Sequence, residues 1–213
     1  MDFIENFKGA NIRKTIHLIR HGQTDYNLQN IIQGSGIDSD LNATGRQQAF
    51  NFYNTYKDQP YQHIYTSKLK RAIQSVELFI DHGIPHTALD ELNEINWGIM
   101  EGKKGSTENS AIYLDMIQKW SKGMLDIAVE GGETPEQMFL RQKDGLQKIM
   151  QKPAEENILI CMHGRAIRSF LCLLTHTPLK EMEKWNHHNL CLYELKFNGR
   201  FFDVTKENDI FHL

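Results

Sequence analysis

Histidine followed by glycine occurs twice directly after a short apolar run, at His21-Gly22 and at His163-Gly164. Residues that follow a core strand stand at the strand's carboxyl edge, where open α/β sheets bind their ligands. If the two runs are neighbouring parallel strands, both imidazoles meet at one place. A single histidine in such a position is ordinarily a satisfied structural residue, and it is the matching second pair that points to chemistry. Arginines accompany both: Arg20 precedes the first pair, Arg165 follows the second, and Arg71 lies in Ser67-Lys68-Leu69-Lys70-Arg71-Ala72. A planar guanidinium fork matches phosphate. Arg20 is the least easily read as a solvated surface residue, because it continues a strand.

These residues need elements to position them. Residues 14–19 form a β-branched-rich run that predicts a strand ending at Arg20-His21-Gly22. Residues 42–57 read as a helix with Ala49, Phe50, Tyr53 and Tyr56 on its apolar side, ended by Asp58-Gln59-Pro60. A strand over 63–66 leads into one helix whose Leu69, Ala72, Ile73, Val76, Phe79 and Ile80 share a face, stopped by Gly83 and Pro85. The glycine-rich stretch 94–132 holds one short helix, 111–122, and reads as an insertion over the site. Thr134-Pro135-Glu136-Gln137 carries a Thr cap, Pro at the first helical position and Gln closing a capping box, for a helix reaching about 152. A strand over 158–162 and a helix over 165–174 follow, then a hairpin of 190–197 and 201–204 turning at Asn198-Gly199. Strands alternating with helices predict a three-layer αβα sandwich with a largely parallel central sheet and an antiparallel C-terminal edge hairpin. The chain reads as a single domain over 1–213 with the insertion at about 95–133.

Composition is that of an ordinary globular protein. The 213 residues are 40% hydrophobic and 24% charged, with a mean hydropathy of -0.52, which excludes disordered, collagenous and membrane-spanning classes. At this length about 70% of the unfolded chain's surface can be buried, so the fold needs no disulfide or structural metal. A net charge of -3 argues against nucleic acid as a partner. Residues 1–8 mix acids and amides where an export signal would need an apolar core. Cys161, Cys172 and Cys191 are odd in number and lie in apolar sequence, as buried thiols do. The cytoplasm is the expected compartment, with no membrane partner.

The stretch LIRHGQTDYN (18–27) resembles the signature of the histidine phosphatase superfamily, also called the phosphoglycerate mutase-like family, Arg-His-Gly-x-Thr-x-x-Asn. Arg20, His21, Gly22, Thr24 and Asn27 match it. The resemblance continues through LNATGRQQA (41–49), SKLKRAIQS (67–75), LNEINWGIMEG (92–102), GGETPEQMFLR (131–141) and CMHGRAIR (161–168). Asp40 stands where many members have proline, Thr134 where serine is frequent, and Arg165 where small or amide residues are common. None of these departures removes a catalytic group.

The resemblance implies His21 as a nucleophile that becomes a phosphohistidine, and elementary chemistry agrees. A neutral imidazole attacks phosphorus and splits the transfer into two steps, with no metal needed to make a nucleophile. Arg20, Arg71 and His163 would surround the equatorial oxygens, with Asn27 as a further donor, which supplies the positioning and charge stabilisation that phosphoryl transfer requires. Gly22, Thr24, Gly34, Gly164 and Arg165 complete the implied substrate-binding set. Glu94 matches the family's proton donor, protonating the leaving oxygen and then activating water, with Glu101 its nearest rival. Cations from Arg20, Arg71 and His163 are expected to depress the pKa of His21.

The chain is similar to the shorter phosphatase branch, whose members hydrolyse small anionic phosphorylated metabolites. The alternative is a phosphoglycerate mutase, and only then would 2,3-bisphosphoglycerate be a cofactor; otherwise none is expected. A non-catalytic phosphate binder is disfavoured because His21, Glu94 and His163 are all present. His17, His63, His176, His187 and His188 lack the spacing of a zinc motif and read as structural, so no metal is expected. Trp97 is placed at the entrance, and Lys103, Lys104 and Arg165 as a positive funnel. The exposed edge of the terminal hairpin offers a surface for a homodimer.

Overall fold

Thr15–Arg20 forms β1, with Ile16 and Leu18 buried on one face of the sheet and Ile19 on the other. The computed structural model describes residues 12–213; segment 1–8, read above for an export signal, lies outside them. After β1 come a four-residue turn of helix, α1 (Asp25–Leu28), and α2 (Ala43–Tyr56). Asn42 caps α2 by accepting from the Gly45 N–H. β2 (His63–Thr66), α3 (Lys70–Gln74), α4 (Glu77–Asp81) and β3 (His86–Ala88) follow. Then come α5 (Thr107–Ser121), α6 (Pro135–Met150), β4 (Asn157–Met162), α7 (Gly164–Thr175), β5 (Leu192–Phe197) and β6 (Phe202–Asp209).

Among the described residues six strands make one sheet in the order β3-β2-β4-β1-β5-β6. β3, β2, β4 and β1 are parallel, while β5 runs antiparallel to β1 and β6 to β5. Strands buried on both faces need a helical layer on each. Ile16, Leu18, Ile158, Ile160 and Met162 pack with residues of α6 and α7, and Ile19, Ile64, Leu159, Cys161 and Leu192 pack with Phe52, Tyr56, Ala72 and Phe79. The result is the expected αβα sandwich. Cys161, Cys172 and Cys191 are free and buried. Among the described residues no helix is long and apolar enough to cross a membrane.

Two local expectations are corrected, and one strand, β3, is new. The single helix predicted after β2 is two, because Val76 adopts φ -124° and ψ 8° between α3 and α4. The Ser75 hydroxyl donates to the Arg71 carbonyl at 2.6 Å and accepts from the Gly22 N–H at 2.9 Å, competing with helix continuation and tying the break to the residue after His21. The buried side of α2 is Gly45, Ala49, Phe52 and Tyr56; Phe50 is 50% exposed, one step of about 100° away from Ala49. β3 has three half-buried residues and no apolar run, so it left no alternation to read. The Thr134–Gln137 capping box is present as predicted.

Candidate active site

Strand register gathers the site. Arg20 pairs with Met162 across β1 and β4, and Thr66 with Cys161 across β2 and β4. The residues that follow these strand ends, His21, His163 and Ser67, therefore emerge together at the carboxyl edge. The His21 and His163 rings lie 5.1 Å apart between centroids.

His21 is buried, and its Nδ1 lies 2.7 Å from the Gly22 carbonyl oxygen. A carbonyl only accepts, so Nδ1 carries the proton and Nε2 the lone pair. The pKa of His21 is held well below 6.5, first by burial and then by Arg71 and Arg20, with the Gly22 hydrogen bond opposing. The expected direction is present, but burial outranks the cations. His163 is fully buried and itself shifted well down, by burial and then Arg71. Its Nε2 lies 2.6 Å from Ser67 Oγ, which also accepts from the Leu69 N–H. The hydroxyl can donate to Nε2 or accept from it, and the ring's other nitrogen, Nδ1, is buried without a partner.

Arg71 is fully buried and donates to the carbonyls of Ile37 (2.6 Å) and Gly34 (3.2 Å), with its Nε unpartnered. Burial lowers its pKa to about 10, which leaves it cationic at neutral pH. Arg20 Nη1 donates to His187 Nδ1 at 3.3 Å, and its Nε is buried and unpartnered. His187 is thereby neutral, its pKa pushed down to about 2 by burial, Arg20 and Arg168. The buried, unpartnered Nε–H groups of Arg20 and Arg71, together with the unpartnered Nδ1 of His163, suit a multiply charged oxyanion.

Glu94 is buried and held by three backbone N–H groups. Oε1 accepts from Ile95 (2.9 Å) and Ala166 (2.8 Å), and Oε2 from Arg165 (3.0 Å). Two of these donors belong to the first turn of α7, so the carboxylate caps that helix. One acceptor position remains, on Oε2. The backbone of Glu94 is fixed as well: Arg141 donates to its carbonyl (3.1 Å) and to that of Glu91 (2.8 Å), while forming a two-pronged pair with Glu133.

A cavity of about 620 Å³ opens at this edge, lined by Arg20, His21, Asn27, Glu94, Gly164, Arg165 and others. Asn27 Oδ1 accepts from Thr24 N–H (3.2 Å) and Asn189 (3.2 Å), which leaves its amide N–H groups for a ligand. Gly164 has no room for a side chain, since a Cβ there would sit 2.9 Å from the His187 ring. Gly22, Thr24, Gly34, Arg71 and His163 are not at the cavity surface. Thr24 is buried, capping α1 and accepting from Gln33 (2.7 Å), so it shapes the loop that carries Asn27. Gly22 allows contact with α2, a Cβ meeting the Gly45 carbonyl at 2.7 Å. Gly34 contributes its carbonyl to Arg71 and lies against Glu101.

Glu101 accepts from the N–H groups of Trp97 (3.1 Å) and Gly36 (3.3 Å) and does not line the cavity. The positive funnel is corrected. Arg165 is occupied by Glu183 and by the Tyr113 hydroxyl (2.6 Å), and Lys103 and Lys104 are exposed outside the lining. Trp97 does line it, its ring tilted against that of Tyr113 with centroids 5.1 Å apart. Sequence reasoning missed His187 and Asn189, which reach the site because β5 is antiparallel and begins where β1 ends. The usable signal was the polar run Asn186-His187-His188-Asn189 just before an edge strand. Among the described residues no group of three or more His, Cys, Asp or Glu is arranged to hold a metal ion.

A family model of the histidine phosphatase superfamily (branch 1) matches residues 16–210. The chain belongs to the histidine phosphatase superfamily. It is 30% identical over 197 residues to the uncharacterized phosphatase PhoE of Bacillus subtilis (strain 168), covering 92% of this chain and 95% of that one. It is 33% identical over 158 residues to fructose-2,6-bisphosphatase TIGAR B of Danio rerio, covering 71% of this chain but only 57% of that longer protein. Its fold matches Bacillus stearothermophilus YhfR with a TM-score of 0.82 at 26% identity, over 93% and 98% of the two chains. A mycobacterial glucosyl-3-phosphoglycerate phosphatase shares the fold, with a TM-score of 0.82 at 21% identity over 92% and 100%. As a histidine phosphatase superfamily member with phosphatase and mutase relatives, the chain is an enzyme.

Proposed function

We propose that this enzyme is a metal-independent phosphatase that hydrolyses a small phosphomonoester through a phosphohistidine on His21. One observation carries the reading: the Gly22 carbonyl holds the Nδ1 proton of a buried, neutral His21, so that Nε2 faces the reaction as a free lone pair beside two arginines. Nε2 attacks phosphorus and the bond to the ester oxygen breaks, with Glu94 passing a proton to that oxygen from its remaining Oε2 position. The ring becomes cationic, and its Nδ1–H bond to the Gly22 carbonyl stabilises that charge. Arg20 and Asn27 receive the phosphoryl oxygens at the cavity surface, and the buried Arg71 and His163 support them from behind His21. In the second step Glu94 takes a proton from water, whose oxygen attacks phosphorus, and the P–N bond returns its electrons to Nε2.

The test is phosphate release from a panel of small phosphomonoesters in excess EDTA, wild type against His21→Ala. Release that persists in EDTA and vanishes in the variant is the expected result. Isomerisation of 3-phosphoglycerate with 2,3-bisphosphoglycerate outrunning release would move the enzyme to the mutases.

A further inference from the structure

The cavity changes character along its wall. Among the described residues its charged lining side chains are Arg20, Glu94 and Arg165. Arg20 belongs to the phosphate end, and Arg165 has its Nη atoms on Glu183 and Tyr113. The remaining wall is uncharged, formed by the turn around α1, with Tyr26, Asn30 and Ile31, and by one face of α5, with Ser110 and Tyr113, over Trp97. The Tyr26 hydroxyl, the Asn30 amide and the Ser110 hydroxyl form no hydrogen bonds among the described residues. A leaving group with its own carboxylate or second phosphate would shed water here with no free cation to receive it. Hydroxyls and a ring would find amide, hydroxyl and aromatic partners. The volume, about 620 Å³, lies in the range of about 300–1,000 Å³ that holds ring-bearing small molecules, and a three-carbon acid would leave most of it unfilled.

Resting on the phosphatase reading above, we infer that the substrate is a monophosphate ester of an uncharged, ring-bearing alcohol, and that the cavity selects against anionic leaving groups. Two matched pairs isolate the charge: benzyl phosphate against 4-carboxybenzyl phosphate, and glycerol 3-phosphate against 3-phosphoglycerate. In each pair kcat/KM for the neutral member is expected to exceed that of its anionic partner at least tenfold, with benzyl phosphate ahead of glycerol 3-phosphate. Leu114 lines the cavity and is 63% exposed, so Leu114→Lys adds a cation to the wall without disturbing the core. It is expected to narrow the benzyl pair at least threefold. Ratios near one, or a preference for the carboxylated esters, would overturn the inference, and glycerol 3-phosphate matching benzyl phosphate would remove the ring.

Calorimetric binding of the same four esters to His21→Ala separates the two ideas. Neutral-over-anionic binding without wild-type turnover would overturn the phosphatase reading and keep the selectivity. Turnover by wild type with equal binding within each pair would do the reverse.

Discussion

Replacing Glu94 with glutamine tests whether one carboxylate both caps α7 and moves a proton. If the new amide keeps its oxygen on Ile95 and Ala166, its NH2 faces the Arg165 N–H that Oε2 accepts at 3.0 Å. A donor then meets a donor, and the unsatisfied buried N–H costs about 1–3 kcal/mol. The two retained bonds weaken from a charged to a neutral acceptor, by about 1 kcal/mol together, and the lost charge at the helix N-terminus adds about 0.5 kcal/mol or more. The total is about 2.5–4.5 kcal/mol, which for a chain of this size lowers Tm by about 5–18 °C. Loss of the proton-transfer group lowers kcat by about 10²–10⁴. Differential scanning calorimetry and steady-state kinetics at one pH read both effects. A Tm within 2 °C of wild type, on the order of half a kcal/mol, would refute the cap. A kcat within about fivefold, under 1 kcal/mol of barrier, would remove Glu94 from the chemistry.

Arg141→Ala and Arg141→Lys both release the 90–96 loop, because lysine cannot reproduce a fork that serves Glu133 and two carbonyls at once. Both are expected to lower kcat about 10²-fold with KM little changed, as displacement by about 1 Å does; a full rescue by lysine in the kinetic assay would show that charge alone suffices. Gly164→Ala pushes a methyl into the His187 ring that supports Arg20, and kcat/KM is expected to fall at least about tenfold on the same grounds; wild-type kinetics would show that the ring yields freely. His21, His163 and His187 titrate below 6.5 in the fold, so in the unfolded chain each takes up its proton at a higher pH. Their contribution to stability is whole above about pH 6.5 and is lost as pH falls below it, by up to about 1.4 kcal/mol per pH unit for each. The urea midpoint should therefore be lower at pH 5 than at pH 7.5, and equal midpoints would contradict the burial of these rings.

The parallel core of this fold was legible because β1 and β4 are buried on both faces and write themselves as apolar runs, each ending in His-Gly. The α6 start was equally clear, since a capping box is a purely local arrangement. What escaped the sequence depended on distant partners. The break between α3 and α4 is set by a serine that bonds Gly22, 53 positions away, and no periodicity announces that. For the candidate site, Arg20, His21, Asn27, Glu94, Gly164 and Arg165 were found and do meet in one cavity. The assignment of Arg165 to a funnel failed because its partners, Glu183 and Tyr113, lie on other elements. His187 was passed over for the opposite reason. Its neighbours carry no motif, and only the antiparallel direction of β5 brings it to Arg20.

The arrangement shows why a phosphoryl-transfer site can be built almost without exposed charge. Burying Arg20 and Arg71 beside two histidines is unfavourable for any additional cation, and the site answers by keeping His21, His163 and His187 neutral. That neutrality is what leaves lone pairs and single N–H donors where a phosphoryl group needs them. The tautomer of His21 follows from a fixed partner, the Gly22 carbonyl. Glu94 supplies the single acid in the cavity lining among the described residues, and its carboxylate is held by the backbone of the helix that starts directly after His163. Strand ends place the nitrogen atoms, helix α7 places the oxygen atoms, and Gly164 lets the two sets approach. The fold's stability and the site's readiness therefore rest on the same hydrogen bonds.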